Sequence, residues 1–223
     1  MPVTVACLFV RGEYPYTLDY VTRLRAMVLR WIDRPFRFVC LTDQPWAMPF
    51  GVESVPVQRL EGFAFWTKLE LFNPARQWSG RVLYLDLDTL IVAPLAPILD
   101  YPAPFALTAD PVTPGKWQRS IDAHKRRIVR RFNSSVMVWD GGTQTQLFTA
   151  WRGDVTQRLS GDQDYIGEQC PQAAAMPQAW FPRLSQVGEP PFDPDVKVIL
   201  AKVPKNHVAV EQYSWFQPLW GSA

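Results

Sequence analysis

Arg81-Val-Leu-Tyr-Leu-Asp-Leu-Asp-Thr-Leu-Ile-Val92 reads as an apolar strand that ends on two acids. Val82, Leu83, Tyr84 and Leu85 form an unbroken apolar run, the pattern of a strand covered on both faces. Asp86 and Asp88 follow, one residue apart, and Leu90, Ile91 and Val92 return at once to apolar chain. Neither acid therefore lies in a generally polar loop. An ionised carboxylate in such surroundings is costly unless a cation or hydrogen-bond donors meet it. A divalent ion held by hard oxygen ligands and completed by substrate phosphates meets that requirement. Capping of a turn is the plainer alternative for the same two acids.

Outward from this segment the chain alternates strands and helices. Val3 to Val10 is an apolar, β-branched first strand, followed by the polar turn Arg11-Gly-Glu-Tyr-Pro15. Ligands of α/β sheets bind at the carboxyl ends of strands, which makes this turn a wall of a nucleotide pocket. Tyr14 is a candidate to stack on a base and Arg11 to meet phosphate. From Thr17 to Ile32, apolar residues at Leu18, Val21, Leu24, Val28, Leu29 and Ile32 keep helical spacing. Phe36 to Leu41 and Val52 to Val57 predict the next two strands. Phe65 to Phe72 predicts a short helix ended near Asn73-Pro74, with Lys68 on or beside its polar edge.

Beyond the two acids, Pro94 to Leu99 reads as a short helix or turn, and Pro104 to Asp110 as a strand that delivers a third acid. His124 to Arg131 is a basic cluster whose charges would wrap a helix rather than form one stripe; it reads as a solvated segment, or as a loop that meets anionic groups. Phe132 to Trp139 is a polar turn entering a buried strand, with Asn133 and Ser134 able to bond sugar hydroxyls. Thr143 to Leu159 reads as one helix. Gly161-Asp-Gln-Asp164 opens another, where Asp162 and Asp164 suit N-capping. Lys197 to Ala201 is a last strand. Short links between alternating elements predict an α/β fold with a largely parallel sheet, in one domain over residues 1–223.

Composition narrows the classes. The 223 residues carry a formal charge of +2, which gives no global argument for nucleic acid, and stacking motifs for it are missing. No apolar run approaches a membrane-spanning length, although the basic cluster leaves a peripheral membrane contact open. Three cysteines, without a Cys-x-x-Cys pair, suit a reducing, cytoplasmic compartment. The chain also holds 10 tryptophans; Trp180, Trp215 and Trp220 serve either the core or an acceptor platform.

Four segments stand in one order: Phe65-Trp-Thr-Lys68, Tyr84-Leu-Asp-Leu-Asp-Thr89, Phe132-Asn-Ser-Ser135 and Gly161-Asp-Gln-Asp164. This order resembles the GT-A-fold glycosyltransferases of family 8, which include glycogenin. The resemblance implies a mostly parallel, Rossmann-like sheet flanked by helices, with a small antiparallel addition near the acceptor side. It implies a retaining transfer, assisted by Mn²⁺ or Mg²⁺, from a nucleotide-diphosphate sugar, such as a UDP-sugar, to a carbohydrate or lipid acceptor. Asp86 would face the ribose and the metal, and Asp88 would ligate the metal. Lys68 would lie near the sugar nucleotide, Asn133 and Asp110 would line the donor-sugar pocket, and Asp162 and Gln163 would sit near the anomeric centre.

The chain departs from that family at one metal ligand. The family's His falls in a His-x-Gly-x-x-Lys-Pro setting, whereas this sequence has Leu200-Ala-Lys-Val-Pro-Lys205. Ala201 takes the His position, Lys205 keeps the diphosphate-contacting cation, and His207 is the substitute candidate. The acid of the family's first nucleotide loop has no clear match between Val10 and Glu13. The rival expectation is a catalytically silent sugar-nucleotide or glycan-binding module of the same fold. A nucleotidyltransferase would need a Gly-rich phosphate loop richer than Arg11-Gly12. Phosphatases of the haloacid-dehalogenase type place a Thr or Val four residues after the first Asp; here Thr89 is three after Asp86.

Overall fold

The computed structural model describes residues 3–12, 14–44, 48–110, 131–201 and 213–221. Its centre is a seven-stranded sheet in the order β3-β2-β1-β4-β7-β6-β8. The strands are β1 (Val3–Phe9), β2 (Phe36–Thr42), β3 (Glu53–Pro56), β4 (Arg81–Leu85), β6 (Phe105–Ala109), β7 (Phe132–Asp140) and β8 (Ala174–Met176). Only β7 runs against the others, between β4 and β6. A two-stranded antiparallel sheet, β5 (Thr89–Ile91) with β9 (Val198–Leu200), stands beside it. The architecture is thus the α/β, mostly parallel GT-A arrangement that the resemblance implied, with its small antiparallel addition.

The sheet separates two apolar cores, and alternation along each strand assigns side chains to them. On β4, Leu83 and Leu85 join the core that contains helix α1 (Leu18–Trp31), β5 and β9. Val82 and Tyr84 join the core on the opposite face, with the 3₁₀ segment Ala64–Phe72. Burial on both faces is why β4 carries no polar alternation. Tyr84 and Lys68 consequently share a face.

Several sequence expectations change in detail. Helix α1 buries Val21, Leu24, Met27 and Val28, while Leu29 is 49% exposed; the apolar stripe is shifted from the one read in sequence. The Phe65–Phe72 helix is 3₁₀ rather than α and is buried on nearly all sides. The single helix expected from Thr143 to Leu159 is two short ones, α3 (Gln146–Thr149) and α4 (Val155–Arg158), separated by a turn through Gly153. The break falls at Gly153, whose backbone freedom favours a turn over a helix interior. The short helix predicted after Val92 is α2 (Ala96–Leu99), and α5 (Asp162–Gln169) opens at Asp162 as expected.

One irregularity shapes the site. Between Leu107 and Thr108 the β6–β7 register jumps from Met137 to Asn133. Ser134, Ser135 and Val136 are extra residues on β7, and such a bulge re-aims side chains out of the ladder. The Ser135 carbonyl then accepts from the Asp86 backbone N–H at 2.8 Å, which ties the bulge to the end of β4.

Candidate active site

A cavity of about 370 Å³ opens at the carboxyl ends of the parallel strands. Seven parts of the chain deliver its polar lining. The end of β1 and its turn supply Gly12, Tyr14 and Tyr16; the end of β4 supplies Asp86 and Asp88; β6 supplies Asp110. The β7 bulge adds Asn133, Ser134 and Ser135, and the start of α5 adds Asp162 and Gln163. Lys68 enters from the 3₁₀ segment and Arg183 from the chain before β9.

The turn after β4 is tightly held. Thr89 donates to the Asp86 carbonyl through both its backbone N–H and its hydroxyl, at 3.2 and 2.8 Å. The Asp88 carbonyl accepts from the Ala201 N–H at 3.3 Å. Residue 201, where the resembled family has a His, therefore lies against the second acid, but as a buried alanine. The acids do more than cap the turn: the Asp86 carboxylate meets Tyr84 and Lys68, and that of Asp88 meets Tyr16.

Asp86 Oδ1 accepts from the Tyr84 hydroxyl at 2.6 Å and pairs with Lys68 Nζ at 3.0 Å. Lys68 Nζ lies 3.4 Å from Asp162 Oδ2 and donates to Ser134 Oγ at 3.1 Å. It also stands 5.1 Å from the centre of the Tyr84 ring. Burial depresses the Lys68 pKa, yet the charges of Asp162 and Asp86 more than offset this and hold the amine above its ordinary value. Lys68 is thus a buried bridge between two acids rather than the polar-edge residue that sequence spacing suggested. Burial and the Asp86 charge push the Tyr84 hydroxyl well above its ordinary pKa, so it stays a neutral donor.

Asp88 differs. Burial first, and the charge of Asp86 second, push its carboxyl up to about 6, against a smaller opposing effect of a hydrogen bond from Tyr16. Among the described lining residues, the acids are Asp86, Asp88, Asp110 and Asp162, and the cations are Lys68 and Arg183. Two negative charges remain uncompensated. Arg183 Nη2 pairs with Asp110 Oδ1 at 3.1 Å, so the excess belongs to the Asp86, Asp88 and Asp162 side. This donor chemistry fits a hard divalent cation at Asp86 and Asp88. Among the described residues no cluster of three His, Cys, Asp or Glu side chains supplies a full protein shell. Substrate oxygens would have to complete it.

The other sequence candidates divide. Asp110, Asn133, Gln163 and Tyr14 line the cavity as expected. Asn133 is oriented by accepting from the Ser135 N–H at 2.8 Å. Arg11 does not line it: its guanidinium donates to Gln44 Oε1 at 3.2 Å, and its backbone N–H bonds the Asp43 carboxylate. Asp162 follows its N-cap, Gly161, and reaches Lys68 instead of capping α5. Trp180, Trp215 and Trp220 pack with the α1-side core and do not line the cavity, which removes the acceptor-platform expectation. Lys205, His207 and the basic cluster up to Arg130 lie outside the described residues.

Three contributors were not read from the sequence. Tyr16 bonds Asp88 but sits just before α1, where it looks like loop; Tyr84 reads as a core residue of its strand; and Arg183 carries no local motif. Phe65 also lines the cavity, with Phe63 stacked on it at 5.5 Å and 57% exposed, which gives the opening an aromatic rim.

No protein-family model matches the sequence, and no curated protein does. Solved structures do match in fold. A crystal structure of the galactosyltransferase LgtC in complex with donor and acceptor sugar analogues superposes with a TM-score of 0.62. The two chains are 15% identical, over 98% of this chain and 95% of that one. The chain shares the fold of a glycosyltransferase along essentially its whole length. Among the described residues, no helix is long and apolar enough to cross a membrane.

Proposed function

We propose that the protein is a metal-assisted glycosyltransferase that takes a sugar from a nucleotide-diphosphate donor, UDP-linked in the simplest reading, to a hydroxyl acceptor. The observation that carries this reading is the excess of two negative charges at Asp86, Asp88 and Asp162 among the described lining residues, in a fold shared with a galactosyltransferase. A divalent cation would cancel that excess, and the oxygens of a diphosphate would fill the coordination positions that the two acids leave open.

Asp88 and Asp86 would hold the Mn²⁺ or Mg²⁺, which supplies Lewis-acid stabilisation of the charge that develops on a departing diphosphate. Tyr84 and Lys68 fix the Asp86 carboxylate, and Tyr16 fixes Asp88, so both acids keep their orientation without substrate. Tyr14, at the β1 end, is placed for a base or ribose, and Asn133, on the strand beside the β4 acids, for hydroxyls of the donor sugar. Asp162 and Gln163, at the start of α5, offer oxygen to an oxocarbenium-like anomeric carbon. In the transfer, the acceptor oxygen bonds to the anomeric carbon while the carbon–oxygen bond to diphosphate breaks. The electron pair leaves with the diphosphate, and the acceptor proton passes to a phosphate oxygen. Front-face attack, and hence retention, is the stereochemistry the resemblance implies. Lys205 would add a cation at the diphosphate, and His207 is the remaining candidate for a third protein ligand.

A screen of nucleotide sugars with Mn²⁺, read by release of nucleoside diphosphate, tests the proposal. Release from one donor, abolished by EDTA, is the expected result; no release from any donor contradicts it. The alanine at position 201 favours one second reading, a silent sugar-nucleotide-binding module. Metal-dependent UDP binding without hydrolysis or transfer would select that reading.

A further inference from the structure

Resting on the transferase reading, we propose that the acceptor is anionic, with Arg183 reading a carboxylate or phosphate on it beside the attacking hydroxyl. Sheet order supplies the first argument. Across the cavity floor come the β1 turn with Tyr14 and Tyr16, then the β4 acids, then the β7 bulge with Asn133, then Asp110 at the end of β6. Strands lie about 4.8 Å apart, so the β6 end stands roughly 10 Å from the β4 end. A nucleotide between the β1 turn and the β4 acids leaves the Asp110–Arg183 end to the other substrate.

Arg183 is built for recognition at that end. Its backbone is pinned: it bridges to Leu200, and its N–H donates to Gln186 Oε1 at 2.8 Å. Leu200 in turn pairs with Thr89, next to Asp88, so the arginine is tied to the same framework as the acids. Its guanidinium reaches across to Asp110, whose side chain is 6% exposed, while its own remains 47% exposed and lines the cavity. A guanidinium carries five N–H donors in a fixed fork, and one carboxylate oxygen engages only part of it. Asp110 thus aims the fork, and the open part suits a planar anion that accepts two parallel bonds.

The test uses the full chain with UDP and Mn²⁺ present, and three probes: methyl β-D-glucoside, methyl β-D-glucuronide and methyl glucoside 6-phosphate. Binding is followed by saturation-transfer NMR and titration. The wild type should bind at least one charged probe about tenfold or more tighter than the neutral one. Arg183→Gln should erase the preference, and Arg183→Lys should restore it in part; the ranking of glucuronide against phosphate identifies the anion. Equal binding of charged and neutral probes, no binding of any, or a preference that survives Arg183→Gln overturns the proposal. Diphosphate release by the wild type with donor alone reports the transferase reading separately. A charge preference without release would leave the anion site standing and the catalytic reading fallen.

Discussion

Two strand ends feed the same cavity with acids, and they are treated in opposite ways. At the end of β6, Asp110 is matched by one guanidinium and is electrostatically complete. At the end of β4, Asp86 and Asp88 share with Asp162 the single cation Lys68 among the described lining residues. The first end is a finished ion pair that presents donors outward. The second is left negative, and like charges held close in a buried site are unfavourable without a partner. On the proposed reading the difference divides the ends: a dication with a diphosphate would sit at β4, an anion-bearing acceptor group at β6.

That contrast can be broken by single substitutions. Asp88→Ala and Asp162→Ala should each abolish turnover, a loss of at least about 100-fold by analogy with removal of one charge-stabilising group. Only Asp88→Ala should also weaken Mn²⁺-dependent UDP binding strongly, as titration calorimetry would show. If both variants bind metal alike, the division of roles between the two acids is wrong. Lys68→Met leaves Asp86 and Asp162 facing each other without their bridge. Its expected cost is about 3–5 kcal/mol of stability in a urea titration, the range for removing one partner of a buried ionic cluster.

Smaller effects sharpen the comparison. Asp88 has its folded-state pKa raised to about 6, above the usual carboxylate range. Its ionisation therefore opposes folding: the metal-free protein gains from the protonated acid below about 4 and loses that advantage as pH rises towards 6. The difference is on the order of 2–3 kcal/mol. Asp88→Asn should accordingly stabilise the metal-free protein at pH 7.5 while destroying metal binding, an opposition of stability and function common at charged sites. In the wild type, Mn²⁺ affinity should fall with pH below about 6, checked by titration from pH 5 to 8. Asp110→Asn should cost least, about 1 kcal/mol or under, because the Arg183 it leaves is half exposed and can turn to water.

The strand and its two acids were legible because apolar continuity and a carboxylate pair are both local signals. The same holds for α5, where a glycine precedes two acids, and for the ordering of strands by short links. What was lost is non-local. Lys68 reads as a polar-edge lysine because its partners lie 18 and 94 positions later in the chain. Arg183 meets Asp110 across 73 positions, with nothing around it to announce a site. Arg11 was misplaced for the converse reason: it sits in the right turn, but Gln44 and Asp43 from the neighbouring strand end draw it away. The apolar spacing of Thr143–Leu159 runs on through Gly153, where the chain turns and two short helices form instead of one. The β7 bulge, which aims Asn133 and Ser134, exists only in the pairing with β6.

The most direct test of the β4 assignment is the thermal shift of the wild type and Asp88→Asn with UDP, in Mn²⁺ and in EDTA. A ligand at 100 times its Kd stabilises by about 2.7 kcal/mol, which a melting curve resolves readily. UDP should raise the wild-type Tm in Mn²⁺ but not in EDTA, and should leave Asp88→Asn unmoved in either. An equal shift in EDTA, or a full shift with Asp88→Asn, would mean that the two acids do not hold a cation against the diphosphate.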